Sequence, residues 1–111
     1  MVVSPKRQRL SPSDTRRLVD DYTLYRFGHV LSAQDLAKQA GVSTEAIENL
    51  LAQKPIAQSD LDKISRAIDV SPELLSEIAG YREMDEGMLH TLNKFFATIK
   101  QERAAKKARA A

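Results

Sequence analysis

Thr44, Glu45, Glu48 and Asn49 fall close together in a segment whose apolar residues, Ile47, Leu50 and Leu51, recur at helical spacing. One helix carries both sets, the apolar residues inward and the polar ones outward. The chemistry open to such a face is hydrogen bonding. An Asn amide both donates and accepts, a Glu carboxylate accepts, and a Thr hydroxyl does either. The same side chains can equally form a plain solvated surface, and spacing alone leaves both readings open. Catalytic chemistry has little to work with. The chain has no cysteine, which excludes disulfides, thiolate metal sites and thiol nucleophiles. His29 and His90 have no ligand-spaced partners, so neither a metal nor a cofactor is expected. No nucleophile motif and no glycine-rich phosphate loop is present, and no enzymatic activity is expected.

The elements that position these residues are all helical. Ser11-Pro12-Ser13-Asp14 places a Ser cap, a Pro and an acid at a helix start, and Leu18, Tyr22 and Tyr25 follow at helical spacing up to Gly28, predicting a first helix over about 12–27. Ser32-x-x-Asp35 is a capping pattern that opens a second helix over about 33–40, closed by Gly41. Ser43 caps a third over about 44–52, broken at Lys54-Pro55. Ser59-x-x-Asp62 opens a fourth with Leu61, Ile64, Ala67 and Ile68 inward, and Ser71-Pro72-Glu73 a fifth with Leu74, Leu75 and Ile78, closed by Gly80. A long last helix follows a charged connector containing Gly87, with Met88, Leu89, Leu92, Phe95, Phe96 and Ile99 forming a wide apolar stripe. Beyond Lys100 only Ala, Lys, Arg and polar residues remain, so that end has nothing to bury and is expected to fray. No alternating strand pattern occurs, and the fold class expected is all-α.

The second and third helices are joined through Gly41-Val42-Ser43 and must cross steeply. Ala37 is small enough for close packing, while Val42, Ile47 and Leu50 fill the junction, which leaves the outer face of the third helix free of core duty. A helix presented in this way can enter a DNA major groove, about 12 Å wide.

At this point the sequence resembles the lambda-repressor-like helix-turn-helix family (Cro/repressor or XRE type). The residues that carry the resemblance are Leu36-Ala37, Gly41-Val42-Ser43, Ile47 and Leu50, then Ile68-Asp69-Val70-Ser71 and Pro72-Glu73-Leu74-Leu75. The resemblance implies a five-helix domain and double-stranded DNA as partner. By position it puts base-facing roles on Ser43, Thr44, Glu45 and Asn49, with Glu48 beside them, and a phosphate contact on Lys54. Two features depart from the family pattern. Ala33 stands where the family usually carries Gln, with Gln34 one place later, and the recognition helix has two acids and no Arg or Lys.

Charge is unevenly spread along the 111 residues, although the net value is only +2. Residues 1–30 hold six basic against three acidic residues, residues 31–80 four against eight, and residues 81–111 seven against four. An acidic centre between basic flanks needs an external source of positive charge to hold DNA tightly. Lys6, Arg7 and Arg9 are candidates, as an arm reaching the backbone or minor groove, with a solubilising tail the plain alternative. The Arg103–Arg109 cluster has the same two readings.

Hydrophobic residues at 42% and charged residues at 29% argue for one folded domain rather than disorder. No apolar leader opens the chain and no run approaches the ~18 apolar residues of a membrane span, so a cytoplasmic protein without membrane contact is expected. The organisation expected is a basic flexible arm at 1–10, a helix-turn-helix domain with its N-terminal helix at 11–80, and a C-terminal helix with a basic tail at 81–111. Leu89, Leu92, Phe95, Phe96 and Ile99 are expected to pair two chains, the alternative being that they fold back onto the first helix. The function expected is that of a sequence-specific DNA-binding transcriptional regulator, a repressor acting as a homodimer, with room for a regulatory protein partner. The alternative is a protein-interaction adaptor that retains the helix-turn-helix fold without reading DNA, a use that fold alone does not exclude.

Overall fold

The computed structural model describes the backbone of residues 6–110 and the side chains of residues 6–106. Residues 1–5 of the expected arm, and the side chains of Lys107 and Arg109 in the basic tail, lie outside them. Six helices form among the described residues: α1 (Pro12–Phe27), α2 (Ala33–Ala40), α3 (Thr44–Leu51), α4 (Gln58–Ala67), α5 (Pro72–Ile78) and α6 (Glu86–Ala110). The fold is all-α, a five-helix body followed by a long C-terminal helix. Four starts are set by serine. The hydroxyl oxygens of Ser11, Ser32, Ser43 and Ser71 accept from the backbone N–H three residues on, at 3.2, 3.1, 3.1 and 3.1 Å. Each contact satisfies an amide that the first helical turn leaves free, worth about 1 kcal/mol.

The fourth helix departs from the expected start. Ser59 does not cap it; the helix begins at Gln58 after Ala57, with no side-chain cap, and Ser59 lies inside the first turn. Burial explains this. Ile56 packs on the core just before the helix, and Leu61, Ile64 and Ile68 are buried along it. A cap worth about 1 kcal/mol cannot shift a helix whose phase is set by several aliphatic side chains worth about 1.5–3 kcal/mol each.

The expected free arm is also corrected in part. Arg7–Gln8 forms a two-residue strand, β1, antiparallel to β2 at Met84–Asp85, with Arg7 opposite Asp85 and Gln8 opposite Met84. Glu86 N–H donates to the Lys6 carbonyl at 3.0 Å, and the Arg7 guanidinium donates to the Glu83 carbonyl at 3.0 Å. Leu10 and Met84 are both buried in the core, so this stretch of chain is fastened where a mobile arm was expected. Two buried apolar residues and a ribbon two residues long leave no periodic trace in a sequence.

One core unites the body: Leu18, Val19 and Tyr22 of α1, Leu36 and Ala37 of α2, Ile47 and Leu50 of α3, Leu61 and Ile64 of α4, and Leu75 and Ile78 of α5. α6 joins it instead of standing away. Asp85 accepts from Gly87 N–H at 2.6 Å to start the helix. Phe96 then meets Tyr22 edge-to-face with centroids 4.8 Å apart. Leu89 and Leu92 pack against the same core. Arg17 donates to the Asn93 side-chain oxygen at 2.8 Å, and Lys100 Nζ lies 2.7 Å from the buried Asp21 carboxylate. The helix continues to Ala110 although Gln101, Glu102, Ala104, Ala105 and Lys106 are exposed.

The apolar stripe therefore divides, and this corrects the expected five-residue seam. Phe96, at 2% exposure, belongs to its own protomer's core, while its neighbour Phe95 is 42% exposed and rests against Tyr25 on α1. Phe96→Ala is expected to cost about 3–5 kcal/mol of unfolding free energy, the usual range for a buried aromatic, and Phe95→Ala about 1 kcal/mol or less. Urea unfolding of both variants checks this; equal losses would contradict the division.

Candidate nucleic-acid interface

The junction between α2 and α3 is built by backbone geometry. Gly41 takes φ of 75°, a left-handed value that suits glycine, and both its N–H and that of Val42 return to the Ala37 carbonyl, at 2.9 and 3.0 Å. Ala37 is buried at the crossing and Val42 packs against the core. α3 then buries Ala46, Ile47 and Leu50. Glu45 and Glu48 are exposed, with Thr44 and Asn49 half-buried beside them. None of these four side chains makes a hydrogen bond or ion pair with another described residue. Ser43 is exposed; its oxygen accepts from Ala46 N–H, which leaves its own O–H free to donate.

The far end of α3 is held by contacts that the sequence did not disclose. Gln53 adopts φ of 60°, unusual for a residue with a side chain. Its amide Nε2 donates to the Leu10 carbonyl and to Thr15 Oγ1 at 3.1 Å, and Thr15 Oγ1 donates to the Ile78 carbonyl at 2.6 Å. A side chain on Gly80 would run into this amide. Lys54, next along, has its N–H bonded to the Asn49 carbonyl at 2.8 Å, and its own carbonyl accepts the Tyr81 hydroxyl. Burial pushes the Tyr81 hydroxyl above its ordinary 10.0, so it stays a donor throughout the neutral range. The Lys54 side chain is left exposed on an anchored backbone. Periodicity could not reveal Gln53, Thr15 or Tyr81. The isolated Gly80 is the one visible sign, and the sequence pattern marks it only as a helix stop.

Ser43, Thr44, Glu45, Glu48 and Asn49 thus come together on one helix, with Lys54 just past its end. Lys6, Arg7 and Arg9 are placed otherwise, on the stretch that carries the ribbon. All three are exposed, but the Arg7 guanidinium also lies 3.4 Å from Glu77. A further basic residue stands near α3. Arg16 of α1 lines an open cleft of about 340 Å³ together with Ala33, Glu48, Leu51 and Ala52. His29 and His90 are exposed, and no group of three His, Cys, Asp or Glu that could hold a metal occurs among the described residues. Among the same residues no helix is long and apolar enough to cross a membrane.

Comparison with known proteins agrees with this geometry. Residues 29–79 match the family model described as the Cro/C1-type HTH DNA-binding domain. Neither a curated protein nor a solved structure matches the chain. The match begins just before α2 and ends just past α5, so it takes in the glycine turn, the outward α3 and the two helices that support them. By helix order, turn geometry and match, residues 29–79 form a Cro/C1-type helix-turn-helix DNA-binding domain, of the lambda-repressor-like family that the sequence resembles.

Proposed function

We propose that this chain is a sequence-specific transcriptional regulator, a repressor that binds double-stranded DNA as a homodimer. The observation that carries the reading is the unengaged polar face of α3. Thr44, Glu45, Glu48 and Asn49 keep their full hydrogen-bonding capacity while the opposite face anchors the helix in the core. In a major groove, Asn49 pairs with adenine, Glu45 and Glu48 accept from cytosine amino groups, and Thr44 meets a base edge or a thymine methyl. Ser43 and Lys54 take phosphates on either side. Lys6, Arg7 and Arg9 add backbone attraction, with Arg7 partly offset by Glu77. Such a regulator works in the compartment that holds the DNA.

The dimer rests on the part of α6 that its own protomer leaves uncovered. Phe95, Met88 and Tyr25 are all exposed large apolar side chains, and Ile99, Leu92 and Leu89 lie partly buried along the same helix. Covering a large apolar side chain contributes about 1.5–3 kcal/mol, and two protomers double the set, which opposes the entropy lost on association. Paired domains then sit one helical turn apart, about 34 Å, on a pseudo-palindromic site.

Two measurements test this. Asn49→Ala is expected to lose about 1–3 kcal/mol at one operator position and to leave non-specific binding intact. An operator selected from a random duplex pool supplies the substrate, and an equal loss on every sequence would assign Asn49 a structural role. Phe95→Ser is expected to stay folded but to sediment as a monomer at concentrations where the wild type is a dimer. A wild type that is monomeric throughout the range, or a variant that remains dimeric, refutes this seam.

A further inference from the structure

Several basic side chains near α1 are paired, whereas Arg9, Arg16 and Arg26 make no hydrogen bond or ion pair with a described residue, Arg26 lying over the Phe27 ring instead. Arg17 reaches Asn93, Asp14 and Asp21, Lys100 reaches Asp21, and Arg7 reaches Glu77. Arg16 is exposed and makes no hydrogen bond or ion pair with a described residue. Asp20, one turn on, feels the Arg16 charge without closing an ion pair with it. Arg16 also stands in a particular place, in the cleft bounded by Ala33 at the first turn of α2, by Glu48 and Leu51 of α3, and by Ala52 just past its end.

A duplex seated on the outer face of α3 brings a phosphate row past each side of that helix, because the groove that admits it is only about 12 Å wide. The cleft beside Glu48 lies along one side of α3. Ala33 offers a phosphate a methyl group and no side-chain donor, and Glu48 repels it. Arg16 is the one lining side chain that carries positive charge, and its planar fork matches a phosphate through two bonds.

We infer that Arg16 is a DNA-backbone contact, reaching from α1 across the cleft beside Ala33 and Glu48 to one phosphate of the duplex. The inference rests on the proposed DNA-binding role of α3. It places on α1 a backbone contact outside the residues of α3 and of the N-terminal stretch. It also gives the acidic recognition helix a cation close at hand.

The test uses the full chain and a mixed-sequence 30-base-pair duplex, followed by fluorescence anisotropy across a salt series. Arg16→Gln removes one phosphate contact, so log affinity against log salt should become shallower by about 0.9, an approximately eightfold loss near 0.1 M salt. Arg16→Lys should keep the wild-type slope. Arg66→Gln, which removes the same charge from an exposed position on α4, should leave both slope and affinity in place. Circular dichroism should show unchanged helix content, since Arg16 holds no part of the fold. An Arg16→Gln slope equal to that of the wild type overturns the inference. So does a loss that disappears in a Glu48→Gln background, because Arg16 would then act only by offsetting Glu48. A wild type that binds no duplex removes both this inference and the function it rests on, whereas wild-type binding with an indifferent Arg16→Gln removes this inference alone.

Discussion

The side-chain amide of Gln53 donates to the Leu10 carbonyl and the Thr15 hydroxyl, and Thr15 passes its own proton to the carbonyl of Ile78. Three elements and the N-terminal segment meet in these bonds: the end of α3, the first turn of α1, the end of α5 and the residues leading from β1. The Thr15–Ile78 bond is buried and the two Gln53 bonds are partly so, and a buried bond left unmade costs about 1–3 kcal/mol, so each holds the others in place. Gly80 suits the place beside them: its φ of 77° is a left-handed value that favours glycine, and a Cβ there would displace the amide. The outward pose of α3 follows from this arrangement. Its N-terminal end is set by the turn at Gly41 and its C-terminal end by Gln53, and a helix of eight residues fixed at both ends has little freedom to tilt.

α1 is the post on which the remaining parts hang. One side of it supplies Leu18, Val19 and Tyr22 to the core, and another receives α6 through Phe96, Asn93 and Lys100. The buried Asp21 is tolerable there because Lys100 approaches to 2.7 Å and Arg17 to 3.7 Å. A buried carboxylate without such partners would be strongly destabilising. The same contacts decide which way α6 lies. Its orientation is set by two aromatic pairs, Tyr22–Phe96 and Tyr25–Phe95, and by the ion pair of Lys100 with the buried Asp21, and the short ribbon fixes where it begins.

Much of this was legible in the residues. Ser11, Ser32, Ser43 and Ser71 announce helix starts because a cap is a local event, settled within four residues. Gly28 and Gly41 mark the stops for the same reason, both in left-handed conformations. The junction of α2 with α3 was legible through Ala37, Val42 and Ile47, whose sizes are constrained by one crossing. The unread parts all depend on distant partners. Ser59 has the right spacing for a cap but loses to the burial of Ile56 and Leu61. Leu10 and Met84 are single apolar residues in polar stretches, and only their mutual neighbourhood shows that they are core. Phe95 and Phe96 are adjacent and chemically identical, so no pattern could tell which meets Tyr22 and which meets Tyr25. Arg16 lies on a helix whose sequence pattern shows only its buried face, and its nearness to Glu48 exists only in the folded chain.

On the proposed function, Glu45 and Glu48 on α3 become intelligible once affinity and discrimination are separated. Phosphate attraction raises affinity for every sequence alike, whereas base-edge bonds raise it for one. An acid on the reading face lowers the first term, and where a cytosine amino group meets it the second term rises. With the wrong base the carboxylate is desolvated without a donor, a penalty that widens the gap between right and wrong sites. The positive charge needed to hold the duplex can then lie outside the reading helix, on Lys54, on the N-terminal segment and on α1, where it adds little sequence preference. On the proposed function, the acidic centre between basic flanks is a division of tasks: recognition on α3, and attraction from the elements packed around it.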